Sequence, residues 1–178
     1  MGRPFHPQFA FKHHIPRSSD DLAELLYRDA VRCVYVANHP RHHVEAVRAA
    51  LLAGKHVLCE KPLVTTLADF DQVTAAAQRN KVTIFEAFMY LHHPQTQTVL
   101  KMVREGELGE IQQINSWFHF YLPPERATNI RLNAGLDGGS LWDVGVYPNS
   151  AALSIAARSP WNARRREMWR RSACSCSR

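Results

Sequence analysis

Between residues 31 and 89 the chain alternates short apolar runs of strand length with stretches carrying apolar side chains at helical spacing, and nothing else in it limits the fold as much. Residues 31–37 read VRCVYVA, a β-branched run ending in Asn-His-Pro. Residues 42–53 place Val44, Val47, Ala50 and Leu51 on one helical face, and Gly54 follows as a left-handed helix stop. Residues 56–59 (HVLC) form a second apolar run, closed by Glu60-Lys61-Pro62. Leu67, Phe70, Val73 and Ala77 predict a helix over residues 67–78, and residues 82–89 (VTIFEAFM) a third strand. The strands are continuously apolar rather than alternating, which predicts burial on both faces, as in a parallel sheet covered by helices. The expected class is α/β, a doubly wound parallel sheet.

The flanks differ. Residues 1–19 are rich in Pro, His and Arg without a sustained period, and we expect a poorly ordered lead. Asp20 and Asp21 then open a short helix through Tyr27. The pattern changes near His92-His93-Pro94. A helix is predicted over residues 95–105, with Val99, Leu100 and Val103 on its inner side and Gly106 and Gly109 at its end. Residues 111–122 (IQQINSWFHFYL) read as a long aromatic strand with no helix close behind, which fits a partial α+β domain. The expected organisation is a lead (1–19), a partial sheet domain (20–92), a second domain (93–157) and a basic tail (158–178) that is non-native or disordered.

Charge narrows the function classes. Residues 158–178 hold seven arginines against one acid, so this segment alone carries the formal +6 of the chain. The body is neutral, which argues against a basic nucleic-acid face, and such arms are usually lysine-rich and aromatic-poor. No apolar run reaches the roughly 18 residues of a membrane helix, and residues 1–14 do not read as a secretory signal. Cys33 and Cys59 lie in strand-like runs and Cys174 and Cys176 near the end, so the expected setting is reducing and cytoplasmic. The pairs His13-His14 and His92-His93 and the group His39, His42 and His43 lack an acid or cysteine partner at ligand spacing; no metal site is expected.

Two motifs carry chemistry. Lys61, at the carboxyl end of a strand, can place a cation beside a reacting hydroxyl, with Pro62 fixing the turn that aims it. Gly138-Gly139-Ser140-Leu141-Trp142-Asp143-Val144-Gly145-Val146-Tyr147 places an acid and a phenol one helical turn apart, on one face if the segment is helical. The glycine pair permits close backbone approach.

These segments resemble one family. Residues 34–63 (VYVANHPRHHVEAVRAALLAGKHVLCEKPL) are similar to the strand–helix–strand segment ending in EKP of the Gfo/Idh/MocA oxidoreductases, which include glucose–fructose oxidoreductase, inositol dehydrogenase and dihydrodiol dehydrogenase. Residues 85–110 resemble that family's crossing between domains, and residues 128–149 the stretch with its catalytic acid pair. The resemblance implies an incomplete Rossmann-type sheet, an NADP or NAD cofactor, and a sugar, polyol or cyclic diol as substrate. It implies Lys61 beside nicotinamide and hydroxyl, Tyr147 as general acid/base and Asp143 orienting substrate. Asn38, His39, His43, Glu60, Lys61 and Pro62 would face the cofactor, and Arg131, within NxRL, the substrate side with Asp143 and Tyr147. It also implies that Lys61 and Tyr147 converge on one crevice, and a homodimer where the full second sheet is present. No G-x-G-x-x-G occurs in residues 1–178, so the expected chain is one truncated before its phosphate-binding turn and abnormal at its C-terminus; a non-catalytic remnant is the alternative.

Overall fold

The structure, a computed structural model, describes residues 6–126 and 129–158. The chain divides into two compact units, residues 1–86 and 87–178.

In the first unit, a helix (α1, His6–Lys12) stands where an irregular lead is expected. Proline is tolerated in a first turn, and Phe9 stacks on His13 at 4.4 Å, an i,i+4 pair, with Ala10 buried. One short helix is too brief to show a period in sequence. A second helix (α2, Leu22–Leu26) starts where Asp21 accepts a hydrogen bond from the Ala23 N–H at 2.8 Å.

Then come β1 (Cys33–Val36), α3 (His43–Leu52), β2 (His56–Cys59), α4 (Leu67–Asn80) and β3 (Ile84–Glu86). Gly54 ends α3 at φ +71°, the left-handed stop read from sequence. Thr66 and Asp69 cap α4 reciprocally, the Thr66 hydroxyl accepting from the Asp69 N–H and donating to its carboxylate. Helix α4 runs past residue 78 because its left-handed terminator is Lys81, which carries no glycine signal.

Among the described residues there is one sheet, three parallel strands in the order β1-β2-β3. The third strand is shorter than the run 82–89 because β2 offers partners only to Ile84, Phe85 and Glu86. Register gives each row of side chains a side. Val34, Val57 and Ile84 share a row, as do Val36, Cys59 and Glu86, and their hydrophobic members pack with α3 and α4 residues such as Val47, Leu51, Val73 and Ala76. Tyr35, Leu58 and Phe85 form the opposite row, with Tyr35 56% and Phe85 45% exposed. The expected burial on both faces is thus met on one. Parallel right-handed crossovers that advance in one direction keep successive helices on the same side.

The second unit begins at Ala87, earlier than the His-His-Pro element, because β3 ends at Glu86 and the turn Met89–His92 packs with the next helix (α5, Pro94–Glu105). Residues 111–122, expected as a strand, join no strand among the described residues, and Trp117 and Tyr121 are 76% and 80% exposed. An aromatic, β-prone run becomes a strand only where a neighbour completes its backbone hydrogen bonds. After short 3₁₀ turns at Ile130–Leu132 and Ala134–Leu136, a π-turn (Leu141–Gly145) leads into α6 (Val146–Arg158). The expected tail, apart from Arg158 at the end of α6, lies outside the described residues.

Candidate functional site

In the first unit, the predicted residues gather where all three strands end. Asn38 follows β1, Glu60-Lys61-Pro62 follows β2, and Glu86 ends β3. This is the carboxyl edge at which open parallel sheets bind ligands. The Glu60 carboxylate accepts from the Tyr35 hydroxyl and, at 3.3 Å, from the Lys61 N–H. A cis peptide bond joins Lys61 to the buried Pro62. The Asn38 amide donates to the His42 carbonyl at 3.4 Å, and His39 precedes the 3₁₀ turn Pro40–His42 without capping it.

His43, expected among the cofactor-facing residues, is instead 1% exposed. Its Nδ1 lies 2.7 Å from the Pro62 carbonyl oxygen and its Nε2 3.1 Å from that of Asn38. Neither ring nitrogen is left for a ligand. The group sequence reasoning missed is Glu86, whose Oε1 accepts from the Leu63 N–H at 2.8 Å. It shares a row with Val36 and Cys59, and burial pushes its carboxyl above the ordinary range against the Leu63 hydrogen bond and the charge of His43. Burial, with Glu86 and Glu60 nearby, pushes the Cys59 thiol up to about 12, so it stays a neutral core group. A lone acid inside an apolar strand was the available signal.

In the second unit, the glycine pair does make a close approach, but to the chain itself. A Cβ at Gly138 would meet the carbonyl oxygens of Ile130, Arg131 and Asn133 at 2.6–2.8 Å. Gly139, at φ +120°, donates from its N–H to the Arg131 carbonyl at 2.7 Å. The loop so held presents Arg131 to Asp143, Nε to Oδ2 at 2.9 Å. These two border a cavity of about 210 Å³ with Phe118, Phe120 and Leu132.

Tyr147 has an aromatic setting. Its ring meets Phe88, Tyr90 and Phe118 edge-on at 5.4–5.9 Å between centroids, and its hydroxyl points to the Met89 sulfur at 3.7 Å. It borders a separate cavity of about 300 Å³ with Met89, Trp117 and Pro148; Phe118 lines both. The sequence expectation of one shared helical face assumed an α-turn. The segment runs as a π-turn over Leu141–Gly145 and as α6 from Val146, so Asp143 and Tyr147 stand on two different helical forms.

Comparison with known proteins agrees with this architecture. Residues 4–88 match the family model described as the oxidoreductase family with an NAD-binding Rossmann fold, and residues 96–164 match the GFO/IDH/MocA C-terminal domain. The first match takes in most of the expected lead and the second enters the expected tail. A dTDP-3,4-didehydro-2,6-dideoxy-α-D-glucose 3-reductase from Actinomadura kijaniata is 44% identical over 72% of this chain and 38% of its own length. Among solved structures, a 3-ketoreductase from the same organism in complex with NADP and TDP-benzene has a TM-score of 0.74 at 37% identity, covering 84% of this chain and 45% of that one. An inositol dehydrogenase homologue from Azotobacter vinelandii, complexed with NAD+, has a TM-score of 0.71 at 31% identity, over 83% and 42%. The chain therefore spans less than half the length of these relatives. With both domain models matched in order around a parallel sheet, the chain belongs to the Gfo/Idh/MocA family of oxidoreductases.

Proposed function

We propose that this chain carries part of an NAD(P)-dependent oxidoreductase that transfers hydride between a nicotinamide cofactor and a sugar, polyol or cyclic diol. The observation that carries this reading is Lys61 at the carboxyl end of β2, in a parallel sheet, beside the strand-end loop of Asn38. Those residues fit the nicotinamide end of such a cofactor: an exposed amide at Asn38 and an ammonium at Lys61 stand on the ligand-binding edge. No G-x-G-x-x-G in residues 1–178 offers the backbone amides that hold a pyrophosphate.

Bound cofactor supplies the ring that accepts or returns hydride. Lys61 provides positive charge for an alkoxide-like oxygen, and Tyr147 holds or moves the hydroxyl proton at its phenolic oxygen. Asp143 orients substrate hydroxyls, with Arg131 fixing its carboxylate. The reducing, cytoplasmic setting read from the cysteines belongs to this proposal; among the described residues no helix is long and apolar enough to cross a membrane.

The rival reading is a family member without nucleotide affinity. Titrating the purified chain with NADPH while following tryptophan fluorescence separates the two. Saturable quenching, weakened in Lys61→Ala, supports the oxidoreductase; a flat response at millimolar NADPH supports the rival.

A further inference from the structure

The ring of His43 faces two acceptors. Both neighbouring atoms are main-chain carbonyl oxygens, Pro62 at 2.7 Å from Nδ1 and Asn38 at 3.1 Å from Nε2. A carbonyl oxygen cannot donate, and a neutral imidazole has only one N–H, so either tautomer would press a bare nitrogen lone pair against an oxygen lone pair. At 1% exposure no bulk water relieves that contact. Two protons on the ring satisfy both oxygens at once, with charge-assisted hydrogen bonds.

A buried cation needs a counter-charge. Glu45 shares the first turn of α3, Glu60 precedes the Lys61-Pro62 turn, and the Lys61 cation within it opposes a second positive charge. Cys59, with its thiol pushed up to about 12, stays neutral at physiological pH. Glu86 ends β3 in the same side-chain row as Cys59, and its carboxyl accepts from the N–H of Leu63, the residue after Pro62. The first turn of α3 opposes a cation through its dipole, but that effect is diffuse, whereas the two hydrogen bonds are direct.

We propose that His43 is a doubly protonated clasp joining the loop after β1 to the turn after β2, and that through Pro62 it acts as a positioning residue for Lys61. The clasp rests on the hydrogen-bond geometry alone. Its consequence for Lys61 rests on the oxidoreductase reading above.

The test uses the full chain uniformly labelled with ¹⁵N and ¹³C, observed by NMR at pH 7. His43 is assigned through its backbone connectivities, which requires no variant. Two protonated, slowly exchanging ring nitrogens are expected; one bare nitrogen overturns the clasp. In His43→Gln, the Lys61 side-chain signal and the Leu63 amide are expected to shift, and the NADPH quenching midpoint to rise several-fold. Unmoved Lys61 and Leu63 signals in a folded His43→Gln overturn the positioning role. Should that variant not fold, wild-type contacts of His43 to both Asn38 and Pro62 together with two ring protons uphold the clasp, and absence of either contact removes it. If wild-type protein shows no quenching, the oxidoreductase reading falls while the ring-nitrogen result still decides the clasp.

Discussion

Two apolar segments of similar β character meet opposite ends in this molecule. Residues 56–59 are hydrogen-bonded on both sides, to β1 and β3, and bury Val57 and Cys59 under α3 and α4. Residues 111–122, longer and more aromatic, join no strand among the described residues and leave Trp117 and Tyr121 largely exposed. Composition does not separate them. What separates them is the neighbours that the preceding crossover has already put in place: β2 arrives between partners, whereas the aromatic run follows a helix with no described strand beside it. A strand is a relation between segments, and a single segment announces only its readiness for one.

Substitutions can break or sharpen that contrast. The largest effect is expected at Leu51, fully buried between sheet and helices. Leu51→Ala should cost about 2–5 kcal/mol in a denaturant melt. A cost under about 1 kcal/mol would mean that the first unit is as loosely held as the aromatic run. Gly138→Ala comes next, at about 1–3 kcal/mol. The added methyl would press on backbone oxygens and dislodge Arg131 from Asp143. A neutral thermal melt for this variant would show that the second unit has slack even at its tightest turn.

Glu86 is the pH-dependent member. Its folded-state carboxyl is raised by burial, so the folded state binds this proton more tightly than the unfolded one. Its contribution is therefore present in acid and lost as pH rises from the ordinary carboxylate range through the raised value. Glu86→Gln should remove that slope from a plot of stability against pH, and an unchanged slope would place the carboxyl in water rather than at the sheet edge. The smallest effect is expected for Trp117→Ser, within about 0.5 kcal/mol despite the large side chain deleted. A loss comparable to that of Leu51→Ala would show that the aromatic segment is buried in solution and would end the comparison.

Much of the first unit was legible in the residues. The runs around Val34, Val57 and Ile84 became strands, and Val47, Leu51 and Val73 became the core, because period and apolarity are local properties that burial preserves. Lys61 was placed at a strand end by the same logic. Harder to read were His43, which looked like a loop residue facing a ligand, and Glu86, which looked like one polar letter in an apolar word. Each depends on atoms distant in sequence: His43 on Pro62, and Glu86 on Leu63. The aromatic setting of Tyr147 was equally hidden, since Phe88 and Phe118 come from other segments of the chain.

By itself the sequence determined the order of strands and helices from β1 to β3, the Glu60-Lys61-Pro62 motif after β2 and the family, since each is carried by residues close together in the chain. Tertiary structure alone decided which face of the sheet is covered, that the glycine pair receives the chain's own loop, and that the His43 ring is turned inward between two carbonyls. Those outcomes depend on which backbone oxygens and side chains are brought within hydrogen-bonding reach, a matter of distance in space that no spacing along a single segment encodes.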